Sequence, residues 1–280
     1  MSNVPCLTGS ATDIKAFLHQ YDTLLLDCDG KQVIFVTNNS TKSRGDHRQH
    51  FQTLGIPCLE NQIFTSAYST AVYISQILRP PPPRNKVFVL GEEGIEAELA
   101  AEGIEYIGGS DVAFQKDMRS SDFSTIASGE AIDDRIGVVV VGMDMKVNYL
   151  KLCHAAHYIQ RGAVFLATNT DSTYPTHGTV FPGAGCISAA LTPMVRQQPL
   201  SLGKPSKAMI TAIQSQYSLN LKRTCIIGDR LDTDIRLGID GGLGGTLLVL
   251  SGVSKREDLE AADSISLPGA YIGKLADLLL

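Results

Sequence analysis

The sequence predicts an α/β fold, a doubly wound, Rossmann-like parallel sheet with a second α/β domain inserted into it. Two observations carry this reading. Short apolar runs alternate with amphipathic stretches, and the runs are β-branched and lack polar alternation, as strands covered on both faces require. Two breaks, Pro80-Pro81-Pro82-Pro83 and Gln197-Gln198-Pro199, bracket a central stretch long enough to fold as a domain.

In chain order, the runs 23–26 and 33–37 open the first domain, and 87–90, 136–142 and 163–168 lie in the inserted one. The runs 224–227 and 246–250 return to the first. Residues 150–160 carry a helical pattern in the inserted part. The expected division is therefore 1–80 with 200–280, and 81–199 between them, with the proline run as a hinge or linker, since four prolines can neither extend a helix nor pair in a sheet. No internal repeat is present. The Gly241–Gly245 segment lacks a dinucleotide fingerprint and reads as close packing before a strand.

The 280 residues hold 24 basic and 29 acidic side chains, a net charge of −5. Such a balance offers no electrostatic reason to bind nucleic acid or an anionic membrane, so any anion must be met by a local site. No apolar stretch is long enough to span a bilayer, and Met1-Ser2-Asn3-Val4-Pro5 lacks the basic start of a signal peptide. A cytoplasmic protein is expected, with Cys6, Cys28, Cys58, Cys153, Cys186 and Cys225 scattered and reduced.

Four stations could carry chemistry, each at the end of a predicted strand, where open α/β sheets gather their ligands. Asp27 and Asp29 follow the apolar run Leu24-Leu25-Leu26. They do not begin a calcium loop, because its later acidic ligands are absent. Thr37, Asn38 and Asn39 end the second run and offer neutral donors to phosphate oxygens, although such residues also cap helices. Lys204 stands between Gly203 and Pro205, which breaks the P-loop pattern but holds the lysine at the sheet edge. Gly228-Asp229 begins a segment with Asp232 and Asp234; clustered carboxylates call for a cation, and oxygen ligands suit magnesium. Asp232 also suits a plain helix start. His154 and His157 lack a third zinc ligand and read as helix-surface or packing residues, as do His47 and His50.

Together the stations resemble the four motifs of the haloacid dehalogenase superfamily, and the segments 37–44, 87–91, 167–171, 181–185 and 228–235 resemble its para-nitrophenylphosphatase and phosphoglycolate phosphatase family over nearly the whole chain. That resemblance implies a hydrolase core and a large α/β cap over residues 81–199. It implies a phosphatase acting on small phosphomonoesters, such as 4-nitrophenyl phosphate or phosphoglycolate, through an aspartyl-phosphate on Asp27. Asp29 would act as general acid and base. Mg2+ would bind the carboxylates of Asp27 and Asp229 and the Asp29 carbonyl, with Asp234 in support. Thr37, Asn38, Asn39 and Lys204 would hold the phosphoryl group. The cap would supply a substrate-facing loop at 171–185 and a homodimer contact.

One departure stands out. Only Gly30, Lys31 and Gln32 separate Asp29 from Val33, whereas parallel neighbours usually need a crossover of a dozen or more residues. Two regular parallel strands are not expected there. An internal deletion of the family's flap and first helix would produce this, and an inactive relative that keeps cap, dimer and phosphate-binding surfaces is the alternative expectation.

Overall fold

The computed structural model describes residues 4–25, 32–176, 178–261 and 267–279. Its strands are β1 Thr23–Leu25, β2 Gln32–Val33, β3 Phe35–Thr37, β4 Ile63–Thr65, β5 Lys86–Leu90, β6 Tyr106–Gly108 and β7 Ile136–Val141. They continue with β8 Val164–Ala167, β9 Thr173–Thr176, β10 Thr179–Pro182, β11 Leu200–Ser201, β12 Thr224–Gly228, β13 Gly245–Val249 and β14 Ala270–Ile272. The helices are α1 Ala11–Leu18, α2 Arg44–Thr53, α3 Ser66–Val72, α4 Glu93–Ala101 and α5 Ser120–Ser128. They are followed by α6 Tyr149–Gln160, α7 Ala184–Val195, α8 Lys207–Gln216, α9 Arg236–Asp240 and α10 Arg256–Ala261. The fold is α/β, as expected. Among the described residues no helix is long and apolar enough to cross a membrane.

The chain forms two compact units, Met1–Val36 with Lys204–Leu280, and Thr37–Gly203. The first contains a five-stranded sheet in the order β14-β13-β12-β1-β2, with every neighbouring pair parallel. Both faces are covered. Leu24, Cys225, Ile227, Leu247 and Ile272 pack with Ile14 of α1 and with Tyr21. Leu248 and Tyr271 pack on the other side with Ile235 and Leu259 of α10. α1 begins where Ser10 accepts a hydrogen bond from Asp13 N, the usual relief for unpaired amides at a helix start.

The second strand corrects the expectation about the short link. β1 and β2 do run parallel, with Thr23 beside Gln32 and Leu24 beside Val33. Among the described residues β1 and β2 span three and two residues, and six residues of sequence outside the described ones separate Leu25 from Gln32. Gln32 lies only about 8 Å from Leu25, two residues back and one strand across, well within the reach of that link. The predicted run 33–37 breaks at Ile34 into β2 and β3.

The second unit has its own parallel sheet, ordered β11-β8-β7-β5-β6, and an antiparallel β9-β10 hairpin. All six residues of β7 are buried, which explains its unbroken apolar sequence. The proline run lies within this unit: Arg79, at φ +45°, ends the preceding helical turn and the chain re-enters at β5. Elements on either side of it pack together, α3 against α4, and Arg44 pairs with Glu98 at 2.9 Å. Residues 37–80 therefore cluster with 81–203.

α6 supplies His154 to an aromatic cluster with Phe88, Phe114 and Tyr158, where the side chain is buried and its Nδ1 has no partner. Of the two expected roles, helix surface or packing, it takes the second. Burial, and next the neighbouring His157, push the imidazole down to about 4, with Asp122 and Lys116 acting weakly in opposite senses. The folded state thus disfavours a proton that the unfolded chain takes up near 6.5. Stability from this site is full above pH 6.5 and is lost as the pH falls toward 4, by roughly 3 kcal/mol. Denaturant melts at pH 7.5 and 4.5 should show this acid loss reduced in His154→Leu; an equal loss in both proteins overturns the assignment.

Candidate active site

In the first unit the chemistry collects at the end of β12. Asp234 is the hub: its Oδ2 accepts from Asp229 N at 3.2 Å and Arg230 N at 3.1 Å, and its Oδ1 pairs with Lys204 Nζ at 2.7 Å. Lys204 also donates to the carbonyl of Val36 at 3.1 Å, one residue before Thr37 in the chain. Both side chains are largely buried, 14% and 6% exposed, so their attraction is weakly screened. Gly228 is required at this turn, since a Cβ there would overlap the Asp234 side chain.

Asp229 is fixed by the segment after β13. Its Oδ2 accepts from Val253 N at 2.8 Å and its carbonyl from Ser254 N at 2.9 Å, while the Ser254 hydroxyl accepts from Leu231 N. A Cβ on Gly252 would overlap Asp229, so only glycine lets this segment approach. No donor among the described residues reaches Asp229 Oδ1, which leaves a hard carboxylate oxygen for a cation. Asp232 points elsewhere: the Arg230 guanidinium forks onto it at 3.0 and 2.7 Å and holds its carboxyl below the usual range.

In the second unit, the segment after β3 is folded by its own side chains. Asn39 N donates to Thr37 Oγ1 at 3.1 Å, and Asn39 Oδ1 accepts from Thr41 N and Thr41 Oγ1 at 2.9 and 2.8 Å. The Asn38 amide nitrogen lies 3.1 Å from both carboxylate oxygens of Asp171. Arg44 closes the segment on Glu98, bonding through its backbone N at 2.6 Å and its Nε at 2.9 Å. Burial raises the Glu98 carboxyl, and the Arg44 contacts oppose that rise.

Of the residues predicted from sequence, Lys204, Asp229 and Asp234 are thus brought together. Thr37, Asn38 and Asn39 belong to the second unit, and Asp27 and Asp29 lie outside the described residues. No group of three or more metal-ligating side chains occurs among the described residues. Sequence reasoning gave no individual role to Val253, Ser254 or Asn169, and placed Asp171 only in the expected substrate-facing loop. The signal for the first pair was present, because Ser251-Gly252-Val253-Ser254 follows a strand at the same sheet edge.

A sequence profile of haloacid dehalogenase-like hydrolases matches residues 15–105, and a second, HAD-hydrolase-like profile matches 201–278. A 4-nitrophenylphosphatase of Schizosaccharomyces pombe is 41% identical, covering 96% of this chain and 97% of the relative. That alignment runs over 294 positions, more than the 280 residues here, so the relative carries residues with no counterpart in this chain. A chloroplastic phosphoglycolate phosphatase 1A of Arabidopsis thaliana is 38% identical over 91% of this chain and 69% of its own length. Among solved structures, a glycerol phosphate phosphatase of Mycobacterium tuberculosis in complex with magnesium superposes with a TM-score of 0.75 at 29% identity, covering 93% of this chain and 77% of that one. With two family profiles and a near full-length relative in agreement, the chain belongs to the haloacid dehalogenase-like hydrolase family.

Proposed function

We propose that this protein is a magnesium-dependent phosphomonoesterase of small molecules. The observation that carries the reading is the Lys204–Asp234–Asp229 cluster at the end of β12, an ammonium group and an open carboxylate oxygen held rigidly at one strand end. The matched phosphatases support it, and they give the inactive alternative no support.

In this reading the Asp27 carboxylate attacks phosphorus and the ester oxygen departs with a proton from Asp29. Water then attacks the aspartyl-phosphate, giving its proton to Asp29 and releasing inorganic phosphate. Lys204 offsets charge on the phosphoryl oxygens, and Thr37, Asn38 and Asn39 donate hydrogen bonds to them. The carboxylates of Asp27 and Asp229 with the Asp29 carbonyl would hold Mg2+. When bound, the ion neutralises the negative charge that otherwise repels an anionic nucleophile from an anionic ester.

Substrates are small phosphate monoesters, the class to which 4-nitrophenyl phosphate, phosphoglycolate and glycerol phosphate belong. Residues 81–199 act as the cap that selects among them and joins two copies into a homodimer in the cytoplasm. The test is release of 4-nitrophenol from 4-nitrophenyl phosphate by the purified protein. Turnover should vanish on chelation with EDTA and return with added Mg2+. Turnover that survives chelation, or none with Mg2+ present, overturns the proposal.

A further inference from the structure

Asn38, Asn169 and Asp171 close a hydrogen-bonded ring. Asn169 Nδ2 donates to the Asn38 carbonyl at 2.8 Å, Asn169 Oδ1 accepts from Asp171 N at 3.1 Å, and the Asp171 carboxylate receives the Asn38 amide at 3.1 Å. The Ser66 hydroxyl adds a second donor to the same Asn38 carbonyl at 2.7 Å. The surroundings leave little play: a Cβ on Gly203 would lie 2.7 Å from Asn38 Oδ1, and one on Gly185 would lie 2.5 Å from the Thr170 carbonyl. Gly185 N in turn donates to the Asp171 carbonyl at 2.9 Å.

Two donors on one carbonyl orient the whole peptide between Asn38 and Asn39, because that unit is planar. The opposite edge of the plane carries Asn39 N–H, which donates to Thr37 Oγ1. With its oxygen accepting that bond, the Thr37 hydroxyl keeps its proton for another acceptor, and none among the described residues takes it. The ring therefore sets the direction in which Thr37 can donate.

We infer that Asn169 and Asp171 are positioning residues that aim the Thr37 hydroxyl at a phosphoryl oxygen, acting through the Asn38–Asn39 peptide. The inference rests on the phosphomonoesterase reading of Thr37 and adds to it the device that orients the hydroxyl.

The test is a double-mutant cycle on inorganic phosphate binding, titrated against the Mg2+-loaded protein by calorimetry, with kcat and KM for 4-nitrophenyl phosphate measured alongside. Asp171→Asn puts an amide against the Asn38 amide, and Thr37→Ala removes the hydroxyl. Each should weaken phosphate about 10-fold, equivalent to about 1.4 kcal/mol. The double variant should be no weaker than Thr37→Ala alone, because the two act as one unit. A merely structural Asp171 would lower the melting temperature and leave phosphate affinity of the folded protein unchanged. Additive losses, or unchanged affinity in Asp171→Asn, overturn the inference. Should that variant fail to fold, Asn169→Ser enters the same cycle with the same expectation. A wild-type protein that neither turns over ester nor binds phosphate sinks the underlying reading and this inference with it, whereas active wild type with no coupling sinks the positioning role alone.

Discussion

Asp27→Asn is expected to abolish hydrolysis of 4-nitrophenyl phosphate, lowering kcat by about 10^4-fold or more. An amide is isosteric with a carboxylate but is a far poorer nucleophile, and the proposed route has no other group to form the covalent bond. The substitution should spare the fold. Asp27 follows β1, whose Leu24 and Leu25 are fully buried and anchor the strand independently of what comes after it. Circular dichroism and a melting curve matching wild type, together with retained phosphate binding, would separate lost chemistry from lost structure. Activity within tenfold of wild type rules out Asp27 as nucleophile.

Lys204→Met should damage stability and activity together. The methionine fills a similar volume but leaves Asp234 buried without its cation, and breaking one partner of a buried pair costs about 3–5 kcal/mol. The backbone amides of Asp229 and Arg230 still reach Asp234 and hold the loss toward the lower end. Removing the positive charge from a site that handles a phosphoryl group should cut kcat/KM by about 10^2- to 10^3-fold. Lys204→Arg restores a charge but not a compact ammonium, so stability should recover further than turnover. Urea unfolding and steady-state kinetics on the three proteins check this. If stability changes by less than about 0.5 kcal/mol, the buried pair lacks the role assigned to it.

Parallel pairing of β1 and β2 holds although only three residues separate Asp29 from Val33. Among the described residues β1 pairs with β2 over two residue pairs, with β12 over three, and β12 with β13 over four. Interior pairs keep their register because Leu24, Cys225, Ile227 and Leu247 share one apolar cluster, which a one-residue slip would turn inside out.

Much of this protein was legible along the chain. The runs at 87–90, 136–142, 163–168, 224–227 and 246–250 became β5, β7, β8, β12 and β13, and the pattern at 150–160 became α6, because hydrophobic periodicity acts within a few residues. The strand-end place of Asp229, after the run 224–227, followed from the same signals. Pairing was another matter. That Asp234 turns one carboxylate oxygen to Lys204 and the other to two backbone amides depends on the turn at Gly228 and on side-chain direction. The Asn38–Asp171 bond joins residues 133 apart, and a lone Asn or Asp reads from sequence as a cap or a turn. Local propensity wrote the strands, the helices and the places where they end; the partners of each polar group were decided by steric fit and burial, which bring distant segments together only once the core has packed.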